Sequence, residues 1–246
     1  MAQRIAVVLA AGKGTRMKSD LPKVLVPVCG RPMIDYVTEA LRRVGVERQI
    51  IVIGQQSDLV REHLAGQNDL RFVEQTQQLG TGHAVMVCRD ELADHDGPVL
   101  VVAGDSPLIQ DDSVESLFGE FNRRRPACIV GSGYRNDPTG FGRVIRSADG
   151  KFAAIIEEKD ATDEQRKINE INLSCYVFNC RDLLDSLQQV DNSNSQCEYY
   201  ITDCPGILLR SGKDVTALDV HKPCESLSIN TVEDLRAVEE AMRNTK

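Results

Sequence analysis

The sequence predicts an α/β protein with a mostly parallel mixed sheet, helices on both faces and a small antiparallel lobe. Short apolar runs rich in branched residues alternate with amphipathic stretches through the first hundred residues, as in repeated βα units. From Cys128 onward several strand-like runs follow one another without long helices between them, which points to added antiparallel strands. No break in composition or low-complexity linker divides the 246 residues, so one domain spanning residues 1–246 is expected.

In chain order, Ile5 to Leu9 reads as a buried strand, followed by a helix near Met33 to Val44. Gln49 to Ile53 reads as a second strand, followed by a helix near Leu59 to Leu64. Arg71 to Glu74 is a third strand and His83 to Leu92 a third helix. Val99 to Ala103 is strongly apolar, as a strand buried on both faces is. The later strand-like runs are Cys128 to Gly133, Gly142 to Ile145, Phe152 to Ile156 and Ile171 to Phe178. Helical patterns return near Arg181 to Leu187 and Ile201 to Leu209. The last helix covers Thr231 to Met242, where Thr231 can cap the N-terminus and Asp234 stands three residues on. In such sheets ligands bind beyond the carboxyl ends of the strands, and the motifs below fall there.

Composition excludes several classes of function. The net charge of −8 argues against nucleic acid as a partner. No apolar run approaches the ~20 residues that a membrane span needs. The opening Met1-Ala2-Gln3-Arg4 carries no secretion signal, so a cytoplasmic protein is expected, and its eight cysteines are expected to be free thiols. None forms a Cys-x-x-Cys pair, and their spacings are poor zinc signatures. Charge is unevenly spread: residues 1–61 hold 10 Lys and Arg against 5 Asp and Glu, and the remainder holds 19 against 32. A local basic excess beside a glycine loop suits a small polyanionic ligand in an otherwise acidic protein.

That loop is Leu9-Ala10-Ala11-Gly12-Lys13-Gly14-Thr15-Arg16-Met17, with Pro22-Lys23 beyond a turn. Gly12 and Gly14 let backbone N–H groups converge on phosphate oxygens, and Lys13, Arg16 and Lys23 stand where a triphosphate would lie. Arg16 can fork onto two oxygens, whereas Lys23 is a point charge. The dinucleotide fingerprint would need a third glycine where Met17 stands. The P-loop pattern counted from Gly12 ends correctly in Lys18-Ser19 but lacks the preceding glycine. A structural glycine turn with solvated lysines would explain the glycines, but not the clustered cations.

Two further segments follow strands. Gln75 precedes Leu79-Gly80-Thr81-Gly82-His83; its amide can pair with a pyrimidine edge, and the glycines can bring backbone close to base and ribose. The same residues also suit a turn in which Thr81 caps a helix. Gly104-Asp105-Ser106-Pro107 closes the most apolar strand. One carboxylate there can hold Mg²⁺, which prefers oxygen ligands and keeps sites for phosphate and water, although Asp-Ser-Pro is also ordinary turn chemistry.

These segments, with Asp137-Pro138-Thr139-Gly140-Phe141-Gly142-Arg143, Glu157-x-Lys159-Asp160-Ala161, Glu170-Ile171-Asn172 and Glu198-Tyr199-Tyr200-Ile201-Thr202-Asp203, resemble bacterial N-acetylglucosamine-1-phosphate uridylyltransferase domains. The resemblance runs in order over nearly the whole chain. It implies a Rossmann-like, three-layer nucleotide-diphospho-sugar transferase fold. It also implies Mg²⁺-dependent transfer of UMP from UTP to N-acetylglucosamine-1-phosphate, releasing pyrophosphate. By matching position it places Leu9, Ala10, Ala11, Gly12, Gly14, Gln75, Gly80 and Thr81 around the nucleotide. Arg16 and Lys23 fall on the reacting phosphates, and Asp105 and Asn230 on Mg²⁺. Gly140, Glu157, Asn172, Tyr199 and Thr202 fall on the sugar side; alone, Glu157 and Asn172 would read as surface polar residues.

The chain departs from the family's usual pattern in four places. Ala103 replaces a common Tyr, Leu173-Ser174 replaces Thr-Gly, and Ile229-Asn230-Thr231-Val232 replaces Val-Asn-x-Arg. The family usually continues into a left-handed β-helix with acetyltransferase activity, which this sequence lacks, so that activity and its trimerisation are not expected. A monomer or weak homo-oligomer is expected instead. The same chemistry on glucose- or N-acetylgalactosamine-1-phosphate, and a non-catalytic nucleotide-sugar-binding regulatory domain, are the alternative readings.

Overall fold

A computed structural model describes all residues except 1, 2, 13, 15, 16, 18, 228, 230, 245 and 246. Its frame is a nine-stranded sheet whose main path has the order β11-β7-β10-β6-β1-β4-β5. The strands of the first half are β1 (Ile5–Leu9), β4 (Arg48–Ile53), β5 (Leu70–Glu74) and β6 (Pro98–Ala103). All four are parallel, with β1 between β4 and β6. The chain therefore runs from β1 outward to β5 and then crosses back to β6 on the other side of β1. That reversal opens a crevice at the carboxyl ends of β1 and β6, where Leu9 is in register with Ala103.

The second half contributes β7 (Cys128–Tyr134), β10 (Glu170–Asn179) and β11 (Val215–Asp219) to the same sheet. β10 is antiparallel to both β6 and β7, and β11 is parallel to β7. The expected antiparallel lobe is the β8 (Gly142–Arg146) and β9 (Phe152–Ile156) hairpin, which joins the sheet through the first residues of β10. The pairing of β10 with β7 shifts register between Asn172 and Tyr176, and Ser174 at the bulge has φ +53°. A short β2–β3 hairpin (Pro27–Val28 and Arg31–Pro32) stands apart.

Alternation along β1 sends Ile5 and Val7 to one face of the sheet and Ala6 and Val8 to the other, and each face has its own core. On the first lie α3 (Thr81–Met86), α4 (Arg89–Leu92), α7 (Cys180–Leu187) and α8 (Asp203–Arg210). On the second lie α1 (Met33–Arg43), α2 (Ser57–His63) and α5 (Asp111–Arg124). The remaining helices are α6 (Asp163–Arg166) and α9 (Val232–Asn244). α9 packs Val238 with Val28 and Met33 in a third apolar cluster. Its start carries the expected reciprocal cap: Asp234 N donates to Thr231 Oγ1 at 3.1 Å and Thr231 N to Asp234 Oδ2 at 2.8 Å.

Two elements go beyond the pattern read from the sequence. α5 buries Val114, Leu117, Phe118 and Phe121, spaced for one helical face, with Asp111 and Asp112 in its first turn and Arg123 and Arg124 in its last. β11 is a short edge strand whose partner, β7, is some 80 residues away in sequence, so no local signal demands it. The expected helix over 83–92 is broken at Cys88, whose φ of −86° and ψ of 3° lie outside the helical region. No helix among the described residues is long and apolar enough to cross a membrane. All eight cysteines are free, and burial pushes the thiols of Cys88 and Cys204 up to about 12.

Candidate active site

A cleft of about 670 Å³ lies over the crevice at the ends of β1 and β6. Leu9, Ala11 and Gly12 form one edge and Ala103 and Asp105 another. The two edges are joined by backbone, Gly104 N donating to Leu9 O at 2.9 Å, and Ala10 N ties the first edge to β4 through Val52 O at 2.9 Å. Ala10 is buried behind this edge rather than lining the cleft.

Gly14, with φ +58°, lies directly against Lys23: a Cβ there would fall 2.7 Å from Lys23 Cβ. Lys23 begins a 3-10 turn after Pro22. Its ammonium is ion-paired with the Asp105 carboxylate, and the two side chains are 12% and 25% exposed. The structure thus brings together the cation expected on phosphate and the carboxylate expected on metal. Arg16 and Asn230, expected beside them, lie outside the described residues, as do Lys13 and Lys18. Among the described residues no group of three or more His, Cys, Asp or Glu could cage a metal. A single carboxylate at a strand end fits Mg²⁺ held jointly with nucleotide phosphates, since that ion is usually bound by one or two carboxylates together with substrate oxygens.

Gln75 is buried at the end of β5. Its amide nitrogen donates to Gly80 O and lies 3.0 Å from His83 Nδ1, which fixes the plane of the amide at the cleft wall. His83, in the first turn of α3, thereby orients Gln75. Gly80 and Gly82 also make a close approach within the chain itself. At Gly80, with φ +110°, a Cβ would come within 2.5 Å of Tyr199 O, and at Gly82 within 2.9 Å of the same atom. Gly82 N donates to that oxygen at 2.7 Å. The close approach is therefore to the 198–201 backbone, which forms the next wall. Thr81 is not the helix cap: Gly80 occupies that position, and the Thr81 hydroxyl accepts from Ile201 N at 3.1 Å.

The far wall is acidic. Glu157, at the end of β9, accepts a hydrogen bond from the Thr202 hydroxyl at 2.9 Å. Thr202 stands at the N-cap position of α8 but makes no side-chain cap there, its hydroxyl being committed to Glu157. Burial pushes the Glu157 carboxyl above the usual range; Asp203, Asp160 and Glu198 add to this and the Thr202 hydrogen bond opposes it. Glu198, Gln196 and Tyr200 complete the wall, with Gln196 Nε2 donating to Tyr200 Oη at 2.7 Å.

Three residues expected on the sugar side do not line this cleft. Asn172 is buried, donating through Nδ2 to Tyr176 Oη at 2.7 Å and accepting from Ser174 N at 3.3 Å. The bulge in β10 presents Ser174 to the cleft instead. Tyr199 serves through its backbone, with N donating to Leu79 O at 2.8 Å. Gly140, with φ +87°, lies on an exposed loop beside a separate cavity of about 180 Å³ shared with Arg135 and Asp234. Gln78, Gln196 and Tyr200 line the cleft without having been singled out, and Ser174, noted only as a departure from the family pattern, lines it too. They come from turns and a bulge, where spacing carries no signal.

Known proteins resemble this chain in sequence and in fold. A protein named "Bifunctional protein GlmU" from Listeria monocytogenes serotype 4b is 43% identical over 243 residues, 99% of this chain and 52% of its own length. One of the same name from Streptococcus agalactiae serotype III is 42% identical over 240 residues, 97% of this chain and again 52% of its own. The chain thus spans about half the length of the curated relatives it matches. Among solved structures, a UDP-glucose pyrophosphorylase complexed with UDP-glucose superposes with a TM-score of 0.80 at 17% identity, covering 100% of both chains. A putative glucose-1-phosphate thymidylyltransferase from Bacillus anthracis gives 0.80 at 19% identity, covering 98% of this chain and 96% of its own. At those identities the likeness establishes the fold. Residues 6–194 match the family described as the MobA-like NTP transferase domain, and the chain belongs to that family.

Proposed function

We propose that this chain catalyses Mg²⁺-dependent transfer of UMP from UTP to N-acetylglucosamine-1-phosphate, yielding UDP-N-acetylglucosamine and pyrophosphate. The observation that carries the reading is one cleft that holds both Asp105, paired with Lys23, and Glu157, bound by the Thr202 hydroxyl. The relatives named GlmU at 42–43% identity support it. In this reading residues 1–246 form one uridylyltransferase unit in the cytoplasm, monomeric or weakly self-associating.

The nucleotide lies against Leu9, Ala11, Gly12 and Gly14, with Gln75, Gly80 and Thr81 around the base. Lys23 and Arg16 hold the phosphates. Asp105 and Asn230 hold the metal ion, which when bound supplies charge neutralisation on the polyphosphate. The sugar's hydroxyl and acetamido groups face Glu157 and Thr202, with Gly140, Asn172 and Tyr199 shaping that side through loop and backbone.

A sugar-1-phosphate has its second pKa near ~6, so at neutral pH it is an anionic nucleophile that needs no general base. The protein's task is to place that oxygen in line with the α-phosphorus and to stabilise charge on the departing pyrophosphate. Lys23 can do the second from its position beside Asp105. The acidic end of the cleft repels the nucleophile's phosphate and so favours the orientation with the sugar toward Glu157.

Ser174 at the bulge and Ala103 at the end of β6 both line the cleft and both differ from the residues usual in the family. They favour a second reading, in which the same chemistry acts on another sugar-1-phosphate. Pyrophosphate release with UTP, Mg²⁺ and a panel of sugar-1-phosphates, with CTP and dTTP in parallel, tests both. Release confined to UTP and N-acetylglucosamine-1-phosphate is expected. Release with another sugar would shift the substrate, and none with any sugar despite UTP binding would leave a regulatory domain.

A further inference from the structure

Arg143, on β8, is the largest fully buried side chain among the described residues, and its position outside the cleft gives it no part in the chemistry above. Placing a guanidinium in the interior is costly unless its donors are taken up, and here each group of donors goes to a different segment. Nη1 donates to Phe141 O. Nε and Nη2 donate to Arg166 O, the last residue of α6, at 3.3 and 3.2 Å. Nη2 also stands 2.7 Å from Glu158 Oε2, a buried oxygen for which this is an ion pair rather than an aligned hydrogen bond.

Two of these three partners adjoin a residue assigned to the sugar side. Phe141 follows Gly140, and Glu158 follows Glu157. Through strand pairing, Gly142 and Arg143 are in register with Asn172 and Ile171, and Arg143 with Ile156. A Cβ on Gly142 would meet Glu157 Oε2 and Asn172 Cβ, each at 3.5 Å, so these two sugar-side residues converge on the backbone that carries Arg143.

We propose that Arg143 is a positioning residue for the sugar phosphate: its buried guanidinium locks the 139–142 loop, the 157–160 turn and the end of α6 into one wall. A guanidinium can bind several acceptors at fixed angles, whereas an ammonium satisfies them from one point, so lysine does not replace it. The kinetic part of this proposal rests on the sugar-side assignment made above; the clamp itself does not.

The test compares Arg143→Lys, Arg143→Met and Glu158→Gln with the wild type, by steady-state kinetics and by amide hydrogen exchange. In Arg143→Lys the KM for the sugar phosphate is expected to rise about tenfold while that for UTP stays within about twofold. Glu158→Gln, half-exposed and free to fold, should raise it about threefold. Amides of 139–142 and 157–160 should exchange faster, and those of 75–82 should not. Unchanged exchange in both sugar-side segments overturns the proposal, as do equal rises in the two KM values or an unchanged sugar-phosphate KM in loosened variants. If the wild type turns over no sugar phosphate, the exchange result still decides the clamp, and only the substrate reading falls. If Arg143→Met fails to fold, Glu158→Gln and Arg143→Lys carry the test.

Discussion

At the Lys23 end the cleft is set by the carboxyl ends of neighbouring parallel strands; at the Glu157 end it is held by a hairpin lobe and a bulge. The first end depends on β1, β6 and the glycine turns, whose geometry follows from the sheet's topology. The second depends on Glu157 meeting Thr202 across 45 residues and on Arg143 joining segments that share no strand. Strand ends suit a ligand part common to many substrates, the nucleotide and its phosphates. A wall of side chains on a lobe can change without disturbing the sheet, which suits the part that varies.

The sharpest way to break this comparison is at the charged end. Lys23→Ala and Asp105→Asn should each lower kcat by roughly 100- to 1000-fold, the cost of removing one preorganised charge partner from a transferring phosphoryl group. Both should melt within about 4 °C of the wild type, equivalent to about 1 kcal/mol. Near-normal turnover in either, measured by pyrophosphate release, would end that residue's assignment.

Gly80→Ala tests the backbone wall. Its φ of +110° and ψ of 175° lie in a region open almost only to glycine, and the new Cβ would meet Tyr199 O at 2.5 Å. A loss of about 1–3 kcal/mol is expected, together with a raised KM for UTP. A calorimetric scan and a UTP titration check both.

Glu157→Gln probes the opposite end and should raise the sugar-phosphate KM about tenfold with little change for UTP, as loss of a charged hydrogen-bond acceptor does. Its effect on stability has a definite sign. Burial, with the nearby carboxylates, raises the folded-state pKa of Glu157, so the folded protein keeps this proton to higher pH than the unfolded chain. Stability therefore falls as pH rises through the window above the ordinary carboxylate value, and the glutamine variant escapes that loss. Thermal melts should show the variant gaining on the wild type at pH 7–8 and losing that advantage near pH 4.

The smallest expected effect is at the bulge. Ser174 holds φ +53°, which costs a residue with a Cβ about 1–2 kcal/mol. Ser174→Gly should recover about 0.5–1 kcal/mol after glycine's own entropy cost, read as a raised denaturation midpoint. A shift in relative turnover among sugar phosphates in the same variant would tie the bulge to specificity.

The alternation of apolar runs and amphipathic stretches determined the parallel half of the fold and the location of the cleft, because strand order at the β1–β6 reversal leaves one crevice for a ligand. Asp105 and Gln75 were legible for the same reason: they follow strand ends, where local sequence decides position, whereas Lys23 was legible through the glycine loop and the Pro22 turn that precede it. α5 was legible in the spacing of Val114, Leu117, Phe118 and Phe121 but passed over among the loops that flank it. β11 was not legible, since an edge strand is decided by its partner.

Tertiary structure alone decided the rest of the site. That Asn172 turns inward to Tyr176, that Ser174 takes its place at the cleft, and that Gly80 and Gly82 yield to the Tyr199 backbone all depend on contacts between segments tens of residues apart. Periodicity reports which face of an element is buried. It does not report which distant segment lies against that face, and around Glu157 that neighbour sets the partners of Asn172, Thr202 and Gly80.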